Sequence, residues 1–215
     1  MPAEQITAVA DNPISASVLT VNMSAEQSTA VQAQGLRIIV AKMVEVNGEE
    51  EYNIVFQSAP PMQINKFEWQ DKYSIAATEA KFAVNGMVFS NRPEAIKFGE
   101  TMIMAENNKD IIIMDRDVGP LSFGFHNKSL KPQGVVLFCK TGEGAALPIS
   151  IYIKKVPVGP NIMETFTPLP KVVVWLAGKI KIGTMIDEAH GERIEVNFTG
   201  KENVEVTYGD DGKWN

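Results

Sequence analysis

Few side chains in this sequence are equipped for chemistry, and they are scattered. The 215 residues include two histidines and one cysteine. His126 ends the apolar run that starts at Leu121, and His190 stands in the polar stretch Asp187–Glu192. Either imidazole could serve as a base or a metal ligand near neutral pH. Neither falls in a metal-binding spacing, and Cys139 adds only one further ligand, so no metal is expected. Cys139 closes the apolar run Gly134–Cys139, which is the pattern of a buried, inert thiol. Asp115 and Asp117 flank Arg116, and at this spacing an extended chain points both carboxylates to one side. The pair could hold a cation, or one member could act as a general acid if buried. A solvated turn ahead of Gly119-Pro120 is the competing reading, because calcium needs more oxygen donors than this segment supplies. There is no Gly-x-Ser-x-Gly elbow. The glycines at Gly142 and Gly144 lack the Lys-Ser/Thr and the helix of a phosphate loop, so no organic cofactor is expected either.

Aromatic and sulfur-bearing side chains are better represented. Phe67, Trp69 and Tyr73 lie close together among polar residues, an arrangement suited to stacking on a sugar or an amphipathic ligand. Met102, Met104 and Met114 occupy neighbouring apolar runs, with Phe125 and Trp175 in later ones. Methionine adapts its shape to varied apolar partners, so these residues could line a pocket. Burial as ordinary core is the alternative.

These residues need elements to hold them, and the elements read as strands. Leu36–Val46 is β-branched and extended, Asn47-Gly48 follows, and Glu51–Phe56 resumes the pattern. Asn-Gly between two such runs predicts a hairpin, since both turn residues must accept positive φ. Pro60-Pro61 should then stop the ladder. Further runs follow at Tyr73–Val84, Gly86–Ser90, Thr101–Ala105, Ile111–Met114, Leu121–Phe125, Val135–Lys140 and Pro148–Val156. The last are Val172–Ala177, Ile180–Ile186, Ile194–Phe198 and Val204–Tyr208. Residues 107–109 and 200–203 look like hairpin loops, and Pro157–Pro170, with four prolines, like a long crossover. Regular short strands bounded by turn residues predict an all-β, antiparallel, Greek-key-like sandwich of about a dozen strands with little helix. Residues 1–35, rich in Ala, Ser, Gln and Thr, read as a lead-in segment, and 36–215 as one domain. Within the lead-in, Ile14–Val21 alternates like a strand, Ser24 with Gln27 resembles a capping box, and Gly35 could close a short helix. Met102–Met104 and Ile111–Met114 are apolar at every position, so they should be covered on both faces or line a cavity or an interface.

Bulk properties limit the partners. A net charge of -6 and the lack of any Lys/Arg run disfavour nucleic acid and anionic membranes. No apolar stretch is long enough for a membrane helix. The first thirteen residues carry no basic and apolar leader pattern, and one cysteine allows no intrachain disulfide, so a cytoplasmic location is expected.

The stretches Tyr52–Pro61, Val174–Asp187, Ile194–Gly200 and Val204–Trp214 resemble a group of small intracellular fungal β-sandwich proteins, largely of unassigned function. That resemblance implies an all-β fold and supplies no catalytic residues.

Three functional expectations follow. The first is binding of an apolar or amphipathic small molecule by Trp69, Tyr73, Met102, Met104, Met114, Phe125 and Trp175. The second is a cofactor-independent cyclase or isomerase acting on such a molecule, with His126, Asp115, Asp117 and Tyr73 as its polar groups. The third is a lectin-like or self-associating module, which would make the chain a homo-oligomer.

Overall fold

A computed structural model describes residues 16–88, 92–106, 110–115, 117–142 and 147–215. The expected loop at 107–109, Arg116 and most of the Gly142 turn lie outside the described residues. The strands are β1 (Ala16–Met23), β2 (Arg37–Val46), β3 (Glu49–Glu51), β4 (Gln57–Ala59), β5 (Ile64–Thr78), β6 (Glu94–Ile96) and β7 (Glu100–Met104). They continue with β8 (Asp110–Met114), β9 (Phe123–Asn127), β10 (Gly134–Thr141), β11 (Ile149–Ile153), β12 (Ile162–Ala177), β13 (Arg193–Asn197) and β14 (Asn203–Tyr208). A short helix, α1 (Ala25–Ala33), is capped by Ser24, whose hydroxyl accepts the Gln27 amide, and Gly35 follows at φ 70°.

The chain is all-β, as its punctuation predicts. One sheet runs β11-β10-β5-β1-β14, with β6 beside β5. The other runs β3-β2-β12-β9-β7-β8, with β4 on β2 and β13 on β12. The purely antiparallel expectation needs correction, because β1 pairs β14 and β7 pairs β9 in parallel. The main core lies between the sheets: Leu19, Phe67, Ile75, Leu137 and Tyr152 from the first meet Ile38, Val44, Met102, Phe125, Phe166 and Val174 from the second. Asn47 and Gly48 both take positive φ, 55° and 82°, so the β2–β3 turn forms as its residue types require.

Both sheets are also covered on part of their outer faces, which explains the long apolar runs. Val136, Phe138 and Ile153 are buried on the first sheet's outer face by Ile54 and Met185. Ile39, Ala41, Val173 and Trp175 are buried on the second's by Val55, Ile186 and Ala189. The covering segments cross at the bridge between Ile54 and Met185. The strands expected over Glu51–Phe56 and Ile180–Ile186 are therefore mostly irregular straps. Asn53 anchors the first strap. Its buried amide donates to the Ile153 carbonyl at 2.7 Å and accepts the Ile153 amide at 3.1 Å, standing in for a further strand beside β11.

Within the lead-in segment, β1 lies between β5 and β14 with Leu19 and Val21 fully buried. Two further expectations change. Pro168 and Pro170 lie inside β12 rather than in a crossover. The residues after β13 do not make a hairpin: β13 belongs to one sheet and β14 to the other, so Phe198–Glu202 crosses between them.

Candidate functional site

Two interruptions in strand pairing face each other across the sandwich. On β5, Gln70 pairs with Lys140 and Tyr73 pairs with Cys139, so Asp71 and Lys72 bulge out of the ladder with β10. On β12, Pro168 pairs with Val44 and Val172 pairs with Lys42, so Leu169, Pro170 and Lys171 bulge opposite Met43. Prolines cannot donate to a ladder, which is why the second interruption falls where it does. Each bulge adds two residues relative to the partner strand. Because side chains alternate with period two, the in/out phase survives: Trp69 and Tyr73 both face the core.

The space between the bulges is a depression of about 460 Å³ lined by Ser17, Lys42, Trp69, Asp71, Pro170 and the crossing segment Phe198–Glu202. Its floor is buried and its rim is exposed. Ser17, Lys42, Trp69 and Phe198 are almost inaccessible, whereas Asp71, Thr199, Lys201 and Glu202 meet solvent. Trp69 and Phe198 pack edge to face with centroids 4.9 Å apart, and the Phe198 amide donates to the Pro170 carbonyl at 2.7 Å, tying the crossing segment to the second bulge.

Lys42 is the unusual member of this set. It shares a face with Ile38, Val40, Val44 and Val46, so β2 drives it into the space between the sheets, and it is 1% exposed. An ammonium taken from water needs compensating charge or hydrogen bonds. Its Nζ lies 3.7 Å from the Asp71 carboxylate, 5.0 Å from the centre of the Trp69 ring and 5.8 Å from that of Tyr73. The aromatic faces attract the cation without accepting a conventional hydrogen bond. Among the described residues, the Lys42 side chain makes an ion pair with Asp71 and no hydrogen bond. Asp71 is itself shared, accepting from the Tyr73 hydroxyl at 2.9 Å. Burial pushes the Tyr73 phenol well above its ordinary range, with Cys139 and Asp71 adding to the effect. Burial also pushes the Cys139 thiol up to about 12, opposed by the Lys42 charge. That thiol donates to the Gln70 carbonyl at 3.2 Å and stays protonated, in keeping with an inert core cysteine.

The residues singled out from sequence divide into separate places. Trp69 lines the depression and Tyr73 stands behind it, but both are buried, as is Phe67, so these aromatics are not the exposed stacking platform their polar neighbours suggested. Met102, Met104 and Phe125 are core between the sheets. Trp175 packs on the opposite face of the second sheet, against Tyr52. Met114 is 67% exposed on β8, the last strand of that sheet, where Ile111 and Ile113 are also exposed. The double cover expected for Ile111–Met114 is therefore absent among the described residues, whereas β2, β10 and β12 have it.

Asp115 accepts from the Thr101 hydroxyl at 2.9 Å and from the Asp117 amide at 3.1 Å, the geometry of a turn-forming aspartate. Asp117 is exposed, and His126 lies on the outward face of β9 in register with Ile103 and Met163. None of the three lines the depression. No three metal-ligating side chains gather among the described residues, and no described helix is long and apolar enough to cross a membrane.

Lys42 and Asp71 escaped the sequence reading. Lys42 carried a usable signal: one lysine on the otherwise apolar strand face of Ile38, Val40, Val44 and Val46. Asp71 carried none, because its role depends on the bulge. Comparison with family models, curated proteins and solved structures finds no match to the chain.

Proposed function

We propose that this protein binds an amphipathic small molecule in the depression between the two bulges. The observation that carries this reading is Lys42, a buried lysine that lines the depression beside the Trp69 ring. Small-molecule sites are typically concave and largely apolar, with a few placed polar groups. Trp69 and Phe198 supply apolar wall here, while Lys42, Asp71 and Ser17 supply polar points. A cytoplasmic location belongs to the same proposal, since a chain whose one cysteine is buried and unpaired suits a reducing compartment.

The test uses a variant with Trp175 and Trp214 changed to Phe, leaving Trp69 as the emitter. Emission should shift on titration with N-phenyl-1-naphthylamine and with long-chain alcohols and acids. A flat response across that panel would overturn the proposal.

A second reading, cofactor-independent turnover of the bound molecule, is favoured by one observation: Tyr73, Asp71 and Lys42 form a row of polar groups against apolar walls. Such a row can stabilise developing charge in a water-poor site. Conversion of a bound ligand, lost in Tyr73→Phe while binding persists, would distinguish catalysis from passive binding.

A further inference from the structure

Resting on that reading, we infer that the guest is an organic anion, a carboxylate or sulfonate on an apolar ring or chain, with its acid group seated on the Lys42 ammonium. Lys42 has three N–H donors, and its buried position puts a premium on filling them. The protein satisfies its charge only partly. The Asp71 carboxylate stands beyond hydrogen-bond distance at 3.7 Å, with its side chain 44% exposed and one oxygen occupied by the Tyr73 hydroxyl. The two ring faces contribute attraction but no conventional acceptor.

Lys42 lines the depression, so the acceptor its donors lack would be supplied from that side. An anionic oxygen there would form the short, charge-assisted contact that Asp71 does not make. Asp71 would keep its Tyr73 partner and its water. The apolar remainder of the guest would lie along Trp69, Phe198 and Pro170 toward the rim. Long-range charge does not explain this preference, because Lys42 and Lys201 are matched at the site by Asp71 and Glu202. Selectivity would come from the buried contact and would depend only weakly on salt.

The test compares two fluorescent probes of nearly the same shape, 8-anilinonaphthalene-1-sulfonate and the uncharged N-phenyl-1-naphthylamine. Both are titrated into the intact protein, Lys42→Met and Thr199→Trp, the last filling the mouth from an exposed position. The sulfonate should bind at least about tenfold tighter than the uncharged probe, the low end of what a hydrogen bond to a charged group contributes. Lys42→Met should erase that preference, and Thr199→Trp should weaken both probes. Should Lys42→Met fail to fold, the probe ratio in the intact protein, located by Thr199→Trp, decides alone. Equal affinity for the two probes, both weakened by Thr199→Trp, would overturn the anion and leave the binding site standing. Failure of Thr199→Trp to weaken either probe, or no binding of either, would overturn the site and the anion together.

Discussion

Asp71→Asn should destabilise the protein more than Lys42→Met, although both break the same ion pair. The asymmetry comes from exposure: the Lys42 side chain is 2% accessible and that of Asp71 is 44%. Breaking a buried pair from one side costs about 3–5 kcal/mol when the remaining charge is left without compensation. Asp71→Asn leaves the ammonium buried with two aromatic faces and a neutral amide. The 3.7 Å separation and the half-exposed carboxylate reduce the expected loss to about 1–3 kcal/mol. Asparagine can still accept from the Tyr73 hydroxyl, so the loss reports charge rather than that hydrogen bond.

Lys42→Met removes the ion that is hard to solvate and leaves one that is not, since Asp71 keeps its water and its phenol partner. The attraction to Trp69 and Tyr73 goes, about 0.5–2 kcal/mol, and is offset by the desolvation no longer required. Methionine fills a similar unbranched volume, so the net change should lie within about 1 kcal/mol of zero. The double variant should resemble Lys42→Met alone. Urea unfolding with linear extrapolation reads all three values. A Lys42→Met loss more than about 1 kcal/mol larger than that of Asp71→Asn would refute the reasoning, because it would make the aromatic faces the dominant partners of the ammonium.

Two other expectations concern the frame around the site. Asn53→Ala should cost about 2–4 kcal/mol, because it leaves the buried Ile153 amide and carbonyl without partners; the Ile153 amide should then exchange with solvent well before the β10 amides. Stability should fall in alkali. Cys139 titrates at 9.0 ordinarily and at about 12 in the fold, so above pH 9 the unfolded chain loses a proton that the native thiol keeps. That term removes up to about 1.4 kcal/mol per pH unit until the folded value is passed. Tyr73, raised in the same direction, adds to the fall above its ordinary value of 10.0. Urea unfolding at a series of pH values should show a shallower alkaline slope in Cys139→Ala, and an unchanged slope would count against the burial of this thiol.

Local chemistry made much of the fold legible. Asn47-Gly48 marks its turn because two successive positive φ values exclude most side chains, and Ser24 marks a helix start because its hydroxyl completes an unpaired amide. Apolar and β-branched runs bounded by turn residues locate β2, β7, β10 and β14 to within a few residues. The expectations failed where distant chain segments decide the outcome. Pro168 and Pro170 look like strand breakers, yet β12 absorbs them in a bulge because Val172–Trp175 and Phe166 pair with β2 on either side. Gly200 looks like a hairpin turn and takes positive φ, but the strands around it join different sheets, which no local pattern encodes. In Phe67–Tyr73 the apolar alternation of Phe67, Trp69 and Tyr73 is interrupted by Asp71, which the two-residue bulge places at the exposed rim. The site was less legible than the fold because it forms where these non-local irregularities meet. Trp69 and Tyr73 stand out by type and Lys42 by its place on an apolar strand face, while Asp71 acquires its meaning only when the bulge brings it to Lys42.

The most direct test of the central claim is amide chemical-shift mapping of the labelled protein during titration with 8-anilinonaphthalene-1-sulfonate. Saturable shifts should concentrate at Ser17, Lys42, Trp69–Asp71 and Thr199–Glu202. Shifts confined to Ile111–Met114 and neighbouring exposed apolar positions, with the depression silent, would contradict it.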